Sequence, residues 1–271
     1  MRISLRLFFK NHPMVNFKVL VTVPFASLKE GESERMYEFQ SRVRYSETDS
    51  DGRLRFDALF NYMQDCGAFE ENSLKNARKI LDQGGLAWVV NAWQVDIKTL
   101  PRSGEAIIIG TNLYEYRAFL GLRNFYIKND QGETLAMANS IWSLFRLKEG
   151  KLVRVPDALA SEYEIGKPMA MEYLPRKILY DKSQGEKNPP IRVIPLMIDS
   201  NGHMNNAQYL RLAELFLPHG PKIQRVRVEY KNQAFPGEIL VPVIRKENPF
   251  LMTFEDEKQK PYCTVELTWA A

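Results

Sequence analysis

The chain has 271 residues, of which 45% are hydrophobic and 26% charged, the composition of an ordinary soluble globular protein. It contains no apolar run of the ~18 residues that a membrane-spanning helix needs. Its two cysteines, Cys66 and Cys263, are too few for a disulfide framework and lack metal-ligand spacing, which favours a cytoplasmic protein. The formal net charge of +4 is concentrated in residues 1–35, which hold six Lys or Arg against three Glu. The nearly neutral remainder argues against nucleic-acid binding.

Residues 1–35 form a basic leader. The apolar stretch in it is interrupted by Lys18, and no small-residue cleavage site follows cleanly, so a signal peptide is the weaker interpretation. We interpret the leader as outside the functional protein and expect Met36 to be the functional start.

The first predicted unit covers residues 36–150. A strand and a turn at residues 49–53 precede an amphipathic helix, whose apolar positions recur at i, i+3, i+4 and i+7. These positions are Leu59, Tyr62, Met63 and Cys66. A polar helical extension ends at Gly84-Gly85. Stretches rich in β-branched and aromatic residues then predict strands over 87–98, 105–116, 120–128 and 134–147, with a hairpin turn at 129–132.

Residues 151–190 are a proline-rich connector, which we expect to carry the chain across the molecule. The second predicted unit covers residues 191–271 and has the same order of a strand, a turn, a helix and four more strands. Its later strands are predicted over 223–231, 238–245, 250–254 and 262–269.

The two units are an internal repeat. The turn sequence Asp-Ser-Asp-Gly-Arg at residues 49–53 returns as Asp-Ser-Asn-Gly-His at residues 199–203, at an offset of 150. Downstream, the segment from Val95 to Lys98 returns from Val228 to Lys231 at an offset of 133. Each unit therefore predicts an antiparallel sheet wrapped around one central helix, an α+β architecture.

Three segments carry a family resemblance. Residues 198–206, followed by Tyr209, resemble the D-x-N-x-H-x-N-N…Y signature of acyl-acyl-carrier-protein (acyl-ACP) thioesterases. Residues 36–49 resemble the start of bacterial members, and residues 228–234 fall at the second conserved site segment. The resemblance implies a tandem double hotdog fold that hydrolyses fatty-acyl thioesters of acyl carrier protein and ends fatty-acid synthesis. It also implies that no metal or organic cofactor is needed, and that the chemistry belongs to the second unit.

Candidate catalytic residues lie in that second turn. His203 is a suitable general base at neutral pH, and Asp199 can orient it, balance its charge or act as the base itself. Asn201 can position water or the thioester oxygen, and the amides that begin the following helix can bind an oxyanion. The alternative is that Asp199 and Asn201 only form a turn that caps the helix.

Gln233 stands where many members of the family have a catalytic Glu, and Ala234 where plant members have Cys. A carboxamide cannot be a general base, so Gln233 is expected to orient water or substrate, with Asp199 or His203 moving the proton. Glu229 is expected to be structural. Four residues are candidates for lining the acyl pocket, with core packing as the alternative for each. They are Leu59, Met63, Trp88 and Phe119.

Other functions remain open at this point. Enoyl-thioester hydratases share the fold but use a D-x-N-P-x-H-x-D pattern, which residues 199–206 do not match. Coenzyme A could replace acyl carrier protein as the carrier, and a non-catalytic acyl-binding protein is a third possibility. The partner expected from the resemblance is acyl carrier protein, with the chain acting as a monomer or a homodimer.

Overall fold

In the part of the chain that the structure describes, twelve strands form one antiparallel sheet. The structure is a computed structural model that describes residues 36–179, 181, 184–217 and 222–269, so the predicted leader lies outside the described residues. No helix within the described ranges is long and apolar enough to cross a membrane.

The first unit follows the predicted order of elements. Its elements are β1 (Tyr37–Arg42), α1 (Phe56–Ser73), α2 (Lys75–Gly84), β2 (Leu86–Ile97), β3 (Ala106–Arg117), β4 (Leu120–Asn129) and β5 (Thr134–Arg146). The predicted helical extension is the last part of α1 together with α2, and α2 ends at Gly85, whose φ of +57° is the left-handed conformation of a helix C-cap. The four later strands begin and end within a residue of the predicted limits.

The connector and the second unit complete the sheet. Their elements are β6 (Lys151–Leu152), α3 (Asp157–Ala160), β7 (Glu186–Lys187), β8 (Ile191–Arg192), α4 (Asn206–Glu214), β9 (Ile223–Tyr230), β10 (Ile239–Arg245), β11 (Phe250–Glu255) and β12 (Pro261–Trp269). The main strand order is β1-β3-β4-β5-β2-β9-β12-β11-β10-β7, with β6 on β5 and β8 on β10. The two units therefore join where β2 pairs with β9.

The β2–β9 pairing is symmetric. Gln94 lies opposite Arg227, the residue equivalent to it at the offset of 133. Two residues before Gln94, Ala92 lies opposite Glu229, and two residues after it, Asp96 lies opposite Arg225. Residues at equal distances on either side of Gln94 therefore pair with equivalent residues on either side of Arg227. An approximate twofold axis passes between Gln94 and Arg227. The expected double hotdog, with two related units forming one continuous sheet, is confirmed.

The helices α1 and α4 contact each other on one face of the sheet and share a single hydrophobic core with both units. Leu59 and Met63 of α1, Met204 and Phe254 are all almost fully buried in it. A smaller cluster beneath α2 and α3 includes Leu81, Leu144 and Leu159. Most strands are buried on the side that faces these helices, and their β-branched and aromatic residues, from which the sequence predicted them, form much of this core.

The opposite face of the sheet is crossed by residues 166–178 of the connector, which we call the strap. Buried polar side chains on successive strands hold it. Asn112 Nδ2 on β3 donates to the Lys167 carbonyl at 3.0 Å, and Asn124 Oδ1 on β4 accepts from Met169 N–H at 3.0 Å. On β2, Gln94 Oε1 accepts from Leu174 N–H at 3.0 Å. The connector thus runs from the first unit to the second, as expected, but through side-chain hydrogen bonds that its sequence does not reveal.

Candidate active site

The second unit's turn is held by its own backbone and by Asp199. Asp199 N–H donates to the His203 carbonyl at 3.0 Å, and Gly202 N–H donates to the Asp199 carbonyl at 3.0 Å. Gly202 has a φ of +82°, which a residue with a Cβ rarely adopts. Asp199 Oδ1 accepts from Asn201 N–H at 2.8 Å, so this oxygen is used in an Asx turn. The other carboxylate oxygen remains available to His203.

His203 is half-buried between two acceptors. Its Nδ1 lies 3.2 Å from the Met204 carbonyl oxygen and 3.8 Å from Asp199 Oδ2. The shorter contact favours a proton on Nδ1 donated to the carbonyl, which leaves the Nε2 lone pair free to accept a proton. Asp199 then faces the imidazolium that forms when Nε2 is protonated.

The start of α4 adds backbone donors to this turn. Asn205 is its N-cap and accepts from Ala207 N–H at 2.8 Å, while Asn205 N–H donates to the Met197 carbonyl at 2.8 Å. The N–H of Asn206, the first helical residue, meets no acceptor among the described residues. An oxyanion beside the turn could therefore be bound by a free amide at the positive end of a helix.

Gln233 lies in a segment packed directly on the turn. Met204 N–H donates to the Ala234 carbonyl at 2.8 Å, which fixes residues 233–234 next to His203. The half-buried Gln233 amide has no hydrogen-bond partner among the described residues. It can therefore bind water or substrate, which is the role open to a carboxamide.

Glu229 lies on the strap face, away from this turn. Its buried carboxylate accepts from Ile178 N–H at 3.2 Å and lies 3.4 Å from Lys231 Nζ. These contacts fit a structural ion pair that fastens the end of the strap. They do not bring Glu229 to His203.

Neither cysteine is suited to nucleophilic attack. Burial raises the pKa of Cys66 to about 12, and burial raises the pKa of Cys263 well above its ordinary value. A thiol must ionise to attack a carbonyl. The site chemistry is therefore left to the polar residues of the turn.

The first unit builds the same turn with different side chains. Asp49 Oδ1 accepts from Asp51 N–H and Arg53 N–H, each at 2.9 Å, and Gly52 has a φ of +73°. Leu54 N–H donates to the Pro101 carbonyl at 2.9 Å, the counterpart of the bond that fixes Gln233's segment. The backbone is repeated, but Arg53 occupies the position of His203.

Four predicted acyl-contact residues lie in three different places. Leu59 and Met63 are fully buried in the shared core. Trp88 stacks on Tyr116 in the smaller cluster, with ring centroids 6.0 Å apart, and Phe119 is 37% exposed at the β3–β4 turn. The structure does not bring the four together around one cavity.

A cavity of about 180 Å³ lies on the strap face of the second unit. It is lined in part by Lys177, Lys231 and Thr264, and by none of the four candidate acyl-contact residues.

Tyr209, which follows the signature, is buried against Tyr230 and Phe254 with ring centroids 6.0 and 5.4 Å away. Its role in this structure is packing.

Sequence reasoning missed Glu214, at the end of α4. Its Oε1 accepts from Phe56 N–H, the first amide of α1, at 2.8 Å. The two residues are 158 positions apart, so no local pattern in the sequence indicates their contact.

Comparison with known proteins identifies relatives. Residues 34–163 match the family described as the acyl-ACP thioesterase N-terminal domain. A chloroplastic acyl-[acyl-carrier-protein] hydrolase of Cuphea viscosissima is 26% identical over 184 residues, covering 62% of this chain and 44% of that protein. A chloroplastic palmitoyl-acyl carrier protein thioesterase of Arabidopsis thaliana is 22% identical over 218 residues, covering 73% and 52%. The matched regions span about half the length of these relatives.

Solved structures share the fold. An acyl-ACP thioesterase from Bacteroides thetaiotaomicron superposes with a TM-score of 0.79 at 19% identity, covering 87% of this chain and 98% of that one. A 12:0-ACP thioesterase from Umbellularia californica superposes with a TM-score of 0.75 at 16% identity, covering 89% and 99%. Both units are therefore arranged as in these proteins.

Proposed function

We propose that the chain, whose residues 34–163 match the acyl-ACP thioesterase N-terminal domain family, hydrolyses fatty-acyl-ACP thioesters. The products are a free fatty acid and the carrier with its thiol restored. The observation that carries the proposal is the position of His203, in contact range of Asp199 and beside the start of α4, in a turn whose duplicate has Arg53. Of the two turns, only the second contains a histidine, the side chain that most often transfers protons in enzymes.

In the proposed mechanism, His203 Nε2 accepts a proton from water as the water oxygen bonds to the thioester carbonyl carbon. The carbonyl electron pair moves to oxygen and forms a tetrahedral oxyanion. The oxyanion then collapses, the carbon–sulfur bond breaks, and the imidazolium returns the proton to the leaving sulfur. Asp199 stabilises the imidazolium between the two proton transfers.

The remaining polar groups bind rather than exchange protons. We assign Asn201 and Gln233 to holding the attacking water or the carbonyl oxygen. The first unit supports the placement of Gln233. There, Arg53 Nη1 donates to the Leu100 carbonyl at 3.4 Å, and these two residues are the counterparts of His203 and Gln233. This contact in the first unit supports a position of Gln233 near His203 in the second.

The acyl chain is proposed to extend into the first unit. Its candidate contacts are Leu59, Met63, Trp88 and Phe119. Leu59 and Met63 support this best, since they lie on α1, which packs against the catalytic helix α4. Entry of a chain there requires these buried side chains to move apart.

Acyl carrier protein is the proposed partner, and coenzyme A is the second candidate carrier. We propose a cytoplasmic location, which suits two buried, unpaired cysteines.

A panel of thioesters tests the function. Saturated acyl-ACP substrates of graded chain length and their coenzyme A analogues are incubated with the full chain, and released thiol and free acid are both measured. We expect equal amounts of thiol and acid, with faster turnover on the carrier protein for at least one chain length. Enoyl thioesters included in the panel would reveal hydration without thiol release. No thiol release from any member would refute hydrolysis.

A further inference from the structure

The two central helices exchange a contact at one end of the molecule. Glu214, the last residue of α4, accepts the N–H of Phe56, the first residue of α1, at 2.8 Å. A carboxylate at a helix N-terminus satisfies a free amide and opposes the positive end of the helix dipole. A side chain of the second unit thus caps the N-terminus of the first unit's central helix.

The approximate twofold axis relates this contact to a second position. The offset of 150 takes Phe56 to Asn206 and takes Gln64 to Glu214. The symmetry therefore places Gln64, on α1, near the start of α4, as Glu214 lies at the start of α1. Gln64 and Glu214 are both half-buried. At this pair of positions the two ends differ by a carboxamide in place of a carboxylate.

We propose that Gln64 is a catalytic residue contributed by the first unit, whose carboxamide N–H donates to the thioester carbonyl oxygen beside the N–H of Asn206. The proposal rests on the proposed hydrolysis and adds a residue to that site. A neutral amide can donate to the oxygen as it becomes negative, whereas an ionised carboxylate only accepts. Donors fixed at that oxygen stabilise the tetrahedral intermediate more than the substrate.

The same comparison supports the assignment of the chemistry to the second turn. At the first turn, the position of the substrate oxygen is taken by the Glu214 carboxylate, already bonded to Phe56 N–H. Burial raises the pKa of Glu214 to about 7. At one end of the helix pair the Glu214 side chain therefore accepts from the first amide of α1. At the other end the Asn206 N–H has no acceptor among the described residues.

Isosteric substitutions test the role of Gln64 in the full chain. Gln64→Ala removes the donor and is expected to lower kcat on an acyl-ACP thioester by ~10²-fold with little change in KM. Gln64→Glu keeps the shape but places a negative charge at the oxyanion. Its turnover relative to the wild type is expected to be lowest at alkaline pH and to rise as the pH falls, because the introduced carboxyl group regains a donor when it is protonated.

The surroundings of position 64 make this pH readout interpretable. Arg55 and Asp57, which lie near Glu214, correspond to the uncharged Asn205 and Ala207 near Gln64. Asp199 and His203 remain as ionisable neighbours, and they are the same in the wild type and the variant. The ratio of the two rates therefore isolates residue 64.

Glu214→Gln is the matched control, since it makes the same exchange at the start of α1 and should keep wild-type kcat. Melting temperatures first establish that each variant is folded. If wild-type turnover persists in both Gln64 variants, Gln64 has no role and the proposed hydrolysis stands. If Gln64→Glu loses rate by the same factor at every pH, the residue is merely structural and the proposal is wrong. An inactive wild type would overturn both the hydrolysis and the role of Gln64.

Discussion

His203 has two acceptors near the same ring nitrogen, and their distances assign them different roles. The Met204 carbonyl, at 3.2 Å, is close enough to accept the Nδ1 proton and fix the tautomer. Asp199 Oδ2, at 3.8 Å, is too far for a strong hydrogen bond but near enough to attract a charged ring. Asp199 therefore matters most after His203 has taken a proton, when the transition state is approached.

Replacing His203 tests the assignment of the proton carrier. His203→Ala is expected to lower single-turnover hydrolysis by ~10²–10⁴-fold, because general base catalysis is lost. Asn201→Ala should also lower the rate if its amide holds water or the oxyanion. Both variants should melt near the wild-type temperature, because neither residue belongs to the hydrophobic core.

Arg53→Ala is the control for that experiment, since Arg53 occupies the same position in the duplicate turn. It should leave hydrolysis almost unchanged. Near-native turnover by His203→Ala together with inactivity of Arg53→Ala would move the active site to the first unit.

The turn itself could be predicted from the sequence, but the directions of its side chains could not. The Asp-Ser-Asn-Gly-His order requires a tight turn with glycine in a left-handed conformation, and Gly202 adopts it. The turn is also fixed by the bond of Met204 N–H to the carbonyl of Ala234, which is distant in sequence. Single-sequence patterns carry no information on such a contact.

At the scale of elements, the start of α1 depends on an acid from α4. Burial raises the pKa of Glu214 to about 7, with the charge of Asp57 adding to the rise, against the opposing hydrogen bond from Phe56 N–H. The folded chain therefore holds a proton on Glu214 over a pH range in which the unfolded chain has released it. Stability contributed by this neutral form is complete below the ordinary pKa and is lost as the pH rises to about 7.

Glu214→Gln is expected to remove that pH dependence. The amide oxygen can still accept from Phe56 N–H but carries no charge, so the free energy of unfolding at pH 8 should rise by up to ~3 kcal/mol relative to the wild type. At pH 5 the two proteins should be similar. Urea unfolding at both pH values measures the difference, with the exposed Glu257→Gln as control. An equal difference at both pH values would show that Glu214 does not titrate as inferred.

The limits of the regular elements followed from the sequence where one face of an element is apolar. The apolar stripe predicted α1, because burial of that face decides the conformation, and the content of β-branched and aromatic residues predicted β9. The break between α1 and α2 at Leu74 was not predicted, since no glycine or proline marks it. The two-residue strands β6 and β7 were not predicted, because two residues are too few to show a pattern in the sequence.

At the scale of the whole molecule, duplication replaces the association of two chains. The residues flanking Gln94 and Arg227 pair symmetrically, so the joint between units has the form of a twofold dimer interface within one chain. The offsets of 150 and 133 predicted two repeated units, and the family resemblance implied that they form a tandem double hotdog; neither predicted that β2 pairs with β9. They could not predict the path of the connector, because residues 166–178 have no repeated partner.

The strap has a consequence for the exchange of amide hydrogens with solvent. Met169, Leu174 and Ile178 donate their N–H groups to side chains of Asn124, Gln94 and Glu229, all less than 5% exposed. Their deuterium uptake should be as slow as that of a strand, although the strap has no ladder of its own. Asn124→Ala should speed exchange at Met169 and leave Ile178 protected, as amide-resolved mass spectrometry can show. Fast deuterium uptake at all three amides in the wild type would mean that the strap opens freely. If Asn124→Ala speeds uptake at Met169 alone, each strand holds the part of the strap that it contacts independently of the others.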